Sequence, residues 1–131
     1  MRKALSSVLY LGPSILWALV ILKLLLTSST KLPRFPILLS IPHLDKIVHA
    51  ILFGVWMTAM LWASVKQFKT INGWKVALVL VFVMGLSTEL IQEFAIVTRL
   101  GSAGDFAADV GGGLLALAIM FKPMKAMIVE S

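Results

Sequence analysis

Glu89, Gln92 and Glu93 stand close together, and Arg99, Ser102, Asp105 and Asp109 follow after a short break; Asp45 and His49 stand four apart upstream. Carboxylates, an imidazole and a guanidinium in one set can bind ions or hold phosphate and carboxylate groups through arginine. They can also move a proton, since histidine titrates closest to neutral pH. The stretch 84–113 carries four of the six acidic residues of the chain between flanks that are almost purely apolar. Charge in such surroundings needs a structural or chemical reason.

The elements that must position these residues follow from composition. Of 131 residues, 60% are hydrophobic and 14% charged, against about 25% charged in an ordinary soluble domain. The sequence predicts an all-α polytopic membrane protein, a bundle of four transmembrane helices in one domain over residues 1–131. A span needs roughly 20 apolar residues, and the apolar runs place the four at about 8–26, 45–64, 74–97 and 105–121. The first run follows Arg2 and Lys3. It is longer than the apolar region of a signal peptide, and Thr27-Ser-Ser-Thr30 offers no small-residue cleavage site, so a retained helix is expected. Pro13 lies near its start, where a kink is expected, and Lys23 can reach the interface near its end. Pro33, Pro36 and Pro42 break any helix in the longest connection; Pro36-Ile-Leu-Leu-Ser-Ile-Pro42 fits either a membrane-surface segment or one folded back over the bundle. Lys66 to Gly73 reads as a short connection with an Asn72-Gly73 turn.

No cysteine is present, which removes disulfides, thiolate ligands and a cysteine nucleophile. The net charge of +6 does not point to nucleic acid, because no base-reading motif accompanies it. Its lysines and arginines lie in connections, where they meet lipid headgroups and set topology. With four spans, Arg2, Lys3, Lys66, Lys69, Lys75, Lys122 and Lys125 share one side and Lys31, Arg34, Lys46 and Arg99 the other. The positive-inside rule then predicts both termini in the cytoplasm. Asp45 and His49, Glu89 to Glu93, and Asp105 and Asp109 fall in the extracytoplasmic half.

Helical spacing sharpens this. Gly85, Glu89, Gln92 and Ile96 share a stripe of the third helix, with Glu93 at its edge, and Asp105 and Asp109 lie over Gly112, Gly113 and Ala116 on the fourth. Glycines on one face let helices approach closely, so the fourth helix is expected to be the packed centre. An acid near mid-bilayer costs about 2.5–3.5 kcal/mol on insertion scales. Glu89, about 12 Å from an outer helix end at Val97, therefore needs a proton, a partner or a wet cavity. Arg99 is the candidate partner for Glu93 or Asp105. Blander readings stand beside these: Asp105 in a Ser102-x-x-Asp105 helix-start pattern, ion pairs that only lock helices, His43 as an interfacial residue, and Trp17, Trp56, Trp62 and Trp74 as packing or interface anchors.

Asp45-Lys46-x-x-His49, Gly85-x-x-x-Glu89-x-x-Gln92 and Arg99-x-x-Ser102-x-x-Asp105-x-x-Ala108-Asp109-x-x-Gly112 together resemble the signature of VanZ-like membrane proteins over about two-thirds of the chain. At Asp109 the family pattern usually has Asn. The resemblance implies a four-helix inner-membrane protein; the family's namesake is associated with reduced susceptibility to the glycopeptide teicoplanin, which binds cell-wall precursors outside the membrane. The leading expectation is an outward-facing polar pocket that binds a lipid-linked or headgroup-like envelope ligand, or the lipid tail region of the antibiotic. Arg99 would meet phosphate or carboxylate, and Asp45, His49, Glu89, Gln92 and Asp105 would fix orientation. Membrane lipids are the expected partners.

Two rivals use the same residues. The oxygen and nitrogen ligands of Asp45, His49, Glu89, Glu93, Asp105 and Asp109 suffice for a divalent metal that could activate water against a lipid phosphoester. No tight spacing such as HExxH is present, so no metal is assigned, no cofactor is indicated, and catalysis ranks second. A small proton-coupled transporter titrating at Glu89 ranks third.

Overall fold

The computed structural model describes residues 2–27, 41–96 and 100–129, and in the first helix side chains from Tyr10 onward. Four helices follow in order: α1 (Arg2–Leu26), α2 (Leu44–Phe68), α3 (Gly73–Ala95) and α4 (Ala103–Val129). No strand occurs among the described residues. The segment with Pro33 and Pro36, and Arg99, lie outside them.

The chain is a helical membrane bundle. Helices α2, α3 and α4 are each long and apolar enough to cross a bilayer, and α1 adds a shorter apolar stretch, Tyr10–Leu26. Ile15, Leu16 and Leu19 on α1, Val79, Phe82 and Val83 on α3, and Leu115 and Ile119 on α4 are all exposed. A protein in water does not present apolar residues over so much of its surface; lipid does not penalise them.

Helix boundaries differ from the sequence reading in ways that packing explains. α2 runs past Ser64 to Phe68, because Val65 continues the buried stripe of Phe53, Trp56, Met57 and Leu61 at helical spacing. Lys69 then caps it in the left-handed conformation, its N–H bonded to Ser64 O. Gly73 opens α3 hard against that turn: a Cβ there would lie 2.0 Å from Ser64 Oγ. α3 stops at Ala95, with Ile96 extended. α4 continues past Phe121 and through Pro123 to Val129, since Met124 is fully buried in the core. α1 likewise runs through Pro13.

α2 packs most heavily against α4, and α1 leans on the other side of α2. The α2–α4 contact is set by glycine. A Cβ on Gly112 would fall 2.1 Å from Ala50 O, and one on Gly54 would fall 3.2 Å from Gly112 O. Gly113 turns to α3, where a Cβ would meet Val81 at 3.0 Å. The expectation that small residues make α4 a packing centre is thus met on two sides, although α2 carries half of the buried core cluster.

The tryptophans tie α1 antiparallel to α2. Trp17 Nε1 donates to Leu52 O and Trp56 Nε1 donates to Ser14 O, each at 2.9 Å. In a bilayer a buried indole N–H finds no water, so a neighbouring helix carbonyl serves.

Candidate functional site

Three depths coincide. His49 lies five residues into α2, Asp109 six residues into α4, and Glu89 six residues before the end of α3. At about 1.5 Å per residue these are roughly 8–9 Å along their helices. Antiparallel packing puts them in one layer, at the end where α2 and α4 begin and α3 finishes. Glu89 is shallower than a helix end at Val97 would make it.

All three side chains are buried: His49 is 4% exposed, Glu89 6% and Asp109 0%. His49 Nδ1 lies 2.8 Å from Asp109 Oδ1 and 3.9 Å from Glu89 Oε1. Gly85 makes room for this layer on α3, since a Cβ there would lie 3.0 Å from Asp109 Oδ2. Phe106 and Phe82 meet edge to face at 5.1 Å beside it and close the α3–α4 seam.

Glu89 has a second task. Its Oε2 accepts the Ser102 N–H at 2.6 Å, and Glu93 Oε2 accepts the Gly101 N–H at 2.9 Å. The two carboxylates of α3 hold the backbone that leads into α4, at the end where the helix dipole favours negative charge. Ser102 Oγ in turn accepts the Asp105 N–H at 3.4 Å. The serine half of the expected capping pattern forms, but Asp105 does not reach back to Ser102. Glu89 takes that N–H instead.

Asp105 is drawn elsewhere. Lys46 Nζ lies 3.0 Å from both Asp105 Oδ1 and Asp45 Oδ2, a bridge over the rim of the layer. Gly104 leaves space for it: a Cβ there would lie 2.9 Å from Lys46 Cε. Lys46 is the functional candidate that sequence reasoning passed over. The available signal was its place beside Asp45, one turn before His49 on the helix that also carries them.

The sequence-selected residues therefore divide. His49, Glu89 and Asp109 form a buried layer; Asp45 and Asp105, bridged by Lys46, form a rim; Glu93 and Ser102 shape the entry to α4. Gln92 joins neither group. It is buried, and its Nε2 donates to Leu25 O at 2.8 Å, tying α3 to α1. Arg99, the expected partner of Glu93 or Asp105, lies outside the described residues; the described partners of those acids are the Gly101 N–H and Lys46.

The layer is chemically incomplete. Glu89 Oε1 and Asp109 Oδ2 are buried without a hydrogen-bond partner among the described residues. One donor atom from each of His49, Glu89 and Asp109 lies within 4.8 Å of the others, a grouping able to hold a metal ion. The two ends of the bundle also differ in charge. Asp45, Glu89, Glu93, Asp105 and Asp109 gather at this end, whereas Lys66, Lys69, Lys75, Lys122 and Lys125 lie toward the other. Fold and site together define a helical membrane protein with an ionisable cluster set into one end. Comparisons with protein-family models, curated proteins and solved structures return no match.

Proposed function

We propose that this chain is a bacterial cell-envelope protein of the VanZ-like kind, which binds the polar headgroup of a lipid-linked envelope ligand at its acid-rich end, outside the cytoplasm. The observation that carries the reading is the buried layer of His49, Glu89 and Asp109, with two carboxylate oxygens lacking partners among the described residues, beneath the polar rim of Asp45, Lys46 and Asp105. Intramembrane carboxylates are expensive and mark ligand or ion sites more often than scaffolding. The lysine-rich opposite end supports the sidedness, because basic residues favour the cytoplasmic face. Lys46, with Arg99 in the adjoining connection, supplies positive charge for a phosphate or carboxylate.

The test uses a glycopeptide-sensitive bacterium. Expression of the parent chain is expected to raise the teicoplanin concentration that the cells tolerate. Glu89→Ala and Arg99→Ala, inserted to the parental level, are expected to return tolerance to that of cells without the protein. Full tolerance with both variants defeats the reading, and no tolerance from the parent removes its link to the antibiotic.

A further inference from the structure

We infer that His49, Glu89 and Asp109 bind a divalent first-row metal ion, with Zn2+ and Mn2+ the best-matched candidates. The inference rests on the reading of this end of the bundle as the ligand-binding end and names what the site holds first.

Two buried carboxylate oxygens have no hydrogen-bond partner among the described residues. An ionised carboxylate only accepts, so a buried, unsatisfied oxygen must meet a proton or a cation to avoid its desolvation cost. Glu89 Oε1 and Asp109 Oδ2 are two such atoms in side chains over nine-tenths buried. Both residues flank His49, itself a nitrogen ligand, and the three already converge to within 4.8 Å. Two carboxylates and a neutral imidazole around a dication sum to zero charge, which is what a low-dielectric layer tolerates. The donor set excludes soft thiolate chemistry and suits metals that accept mixed imidazole and carboxylate ligands. Among the described residues, Lys46 at the rim is already held, its Nζ 3.0 Å from both Asp45 and Asp105.

The metal would also resolve a conflict of sign. A site built from acids repels an anionic headgroup, and a dication bound beneath the rim gives it a positive centre for phosphate. Glu89 would then serve twice, its Oε2 on the Ser102 N–H and its Oε1 toward the ion.

The experiment takes the full chain, purified in detergent, stripped with chelator and dialysed against Zn2+ or Mn2+ in turn. The expected result is about one ion per chain by elemental analysis, and a raised melting temperature, since a ligand of the folded state stabilises it. Occupancy should fall at least about tenfold in Glu89→Gln and in Asp109→Asn, each close in shape to the parent side chain, and stay at the parental level in Ser87→Ala, whose hydroxyl bonds Val83 O on another face of α3. Cobalt gives a second reading on the parent chain, independent of whether any variant folds. Co2+ added to the stripped protein should develop visible bands distinct from those of the aqueous ion. Occupancy near zero with an aqueous Co2+ spectrum overturns the inference and leaves protons as the occupants; occupancy unchanged in both variants overturns it by placing the ion elsewhere. Teicoplanin tolerance without metal would sink this inference alone, whereas metal binding with tolerance intact in both Glu89→Ala and Arg99→Ala would sink the functional reading alone.

Discussion

Gly112→Ala is expected to destabilise the bundle by about 2 kcal/mol or more, in the upper part of the usual range for overpacking. The added methyl would sit 2.1 Å from Ala50 O and 2.7 Å from Ala50 Cα, and backbone cannot swing aside as a side-chain tip can. Relief requires α2 and α4 to part. Gly111→Ala is the internal control, because a Cβ there meets nothing within 4 Å. It should be neutral or stabilise by up to about 1 kcal/mol, the ordinary helix preference of alanine over glycine. Denaturant unfolding of the two variants in mixed micelles checks the pair. Equal stability for both would mean that α2 and α4 are not in the contact described. The effect reaches the site as well, since Ala50 follows His49 and Gly112 lies one turn after Asp109; parting the helices lengthens the His49–Asp109 contact of 2.8 Å.

The second large effect is expected for His49→Leu. The substitution keeps an apolar body of similar size but strips Asp109 Oδ1 of its partner, in a residue whose Oδ2 has none among the described residues. In the metal-free protein two carboxylates are then buried side by side without an imidazole between them. Breaking one side of a buried pair costs about 3–5 kcal/mol, much of it the uncompensated charge that remains. His49→Leu combined with Asp109→Leu should therefore be more stable than His49→Leu alone. The same unfolding measurement decides it. If His49→Leu costs under about 0.5 kcal/mol, the level of an ordinary surface change, the layer is not the buried charge cluster described.

The fold class is legible in the sequence because a chain so poor in charge lacks the polar surface to face water, and in lipid long apolar helices satisfy their own backbone groups. The acids are legible too, since each interrupts an apolar helix at a readable depth. What the sequence could not supply was tertiary pairing. Asp45 and His49 are four apart and share a helix face, yet a turn of rise places Asp45 at the exposed rim and His49 in the buried layer. Gln92 shares a stripe with Glu89, but α1 packs across that part of α3 and takes its amide through Leu25 O. Glu89 as the acceptor of the Ser102 N–H, in place of Asp105, depends on how the start of α4 sits against α3, which spacing does not encode. Lys46 was overshadowed by its neighbours, because its partner Asp105 lies fifty-nine residues away. The depth of Glu89 also depended on where α3 stops.

The central claim, a polar site at the acid-rich end facing away from the cytoplasm, is tested most directly by labelling. The natural chain has no cysteine, so single cysteines report without interference. Ala103→Cys lies at the start of α4 beside the site, and Asn72→Cys in the α2–α3 turn at the opposite end; both positions are exposed. With a membrane-impermeant maleimide applied to intact cells whose outer barrier has been opened, Ala103→Cys should be labelled at once and Asn72→Cys only after the cytoplasmic membrane is broken. Labelling of Asn72→Cys from outside, with Ala103→Cys protected until lysis, would put the site in the cytoplasm and contradict the account.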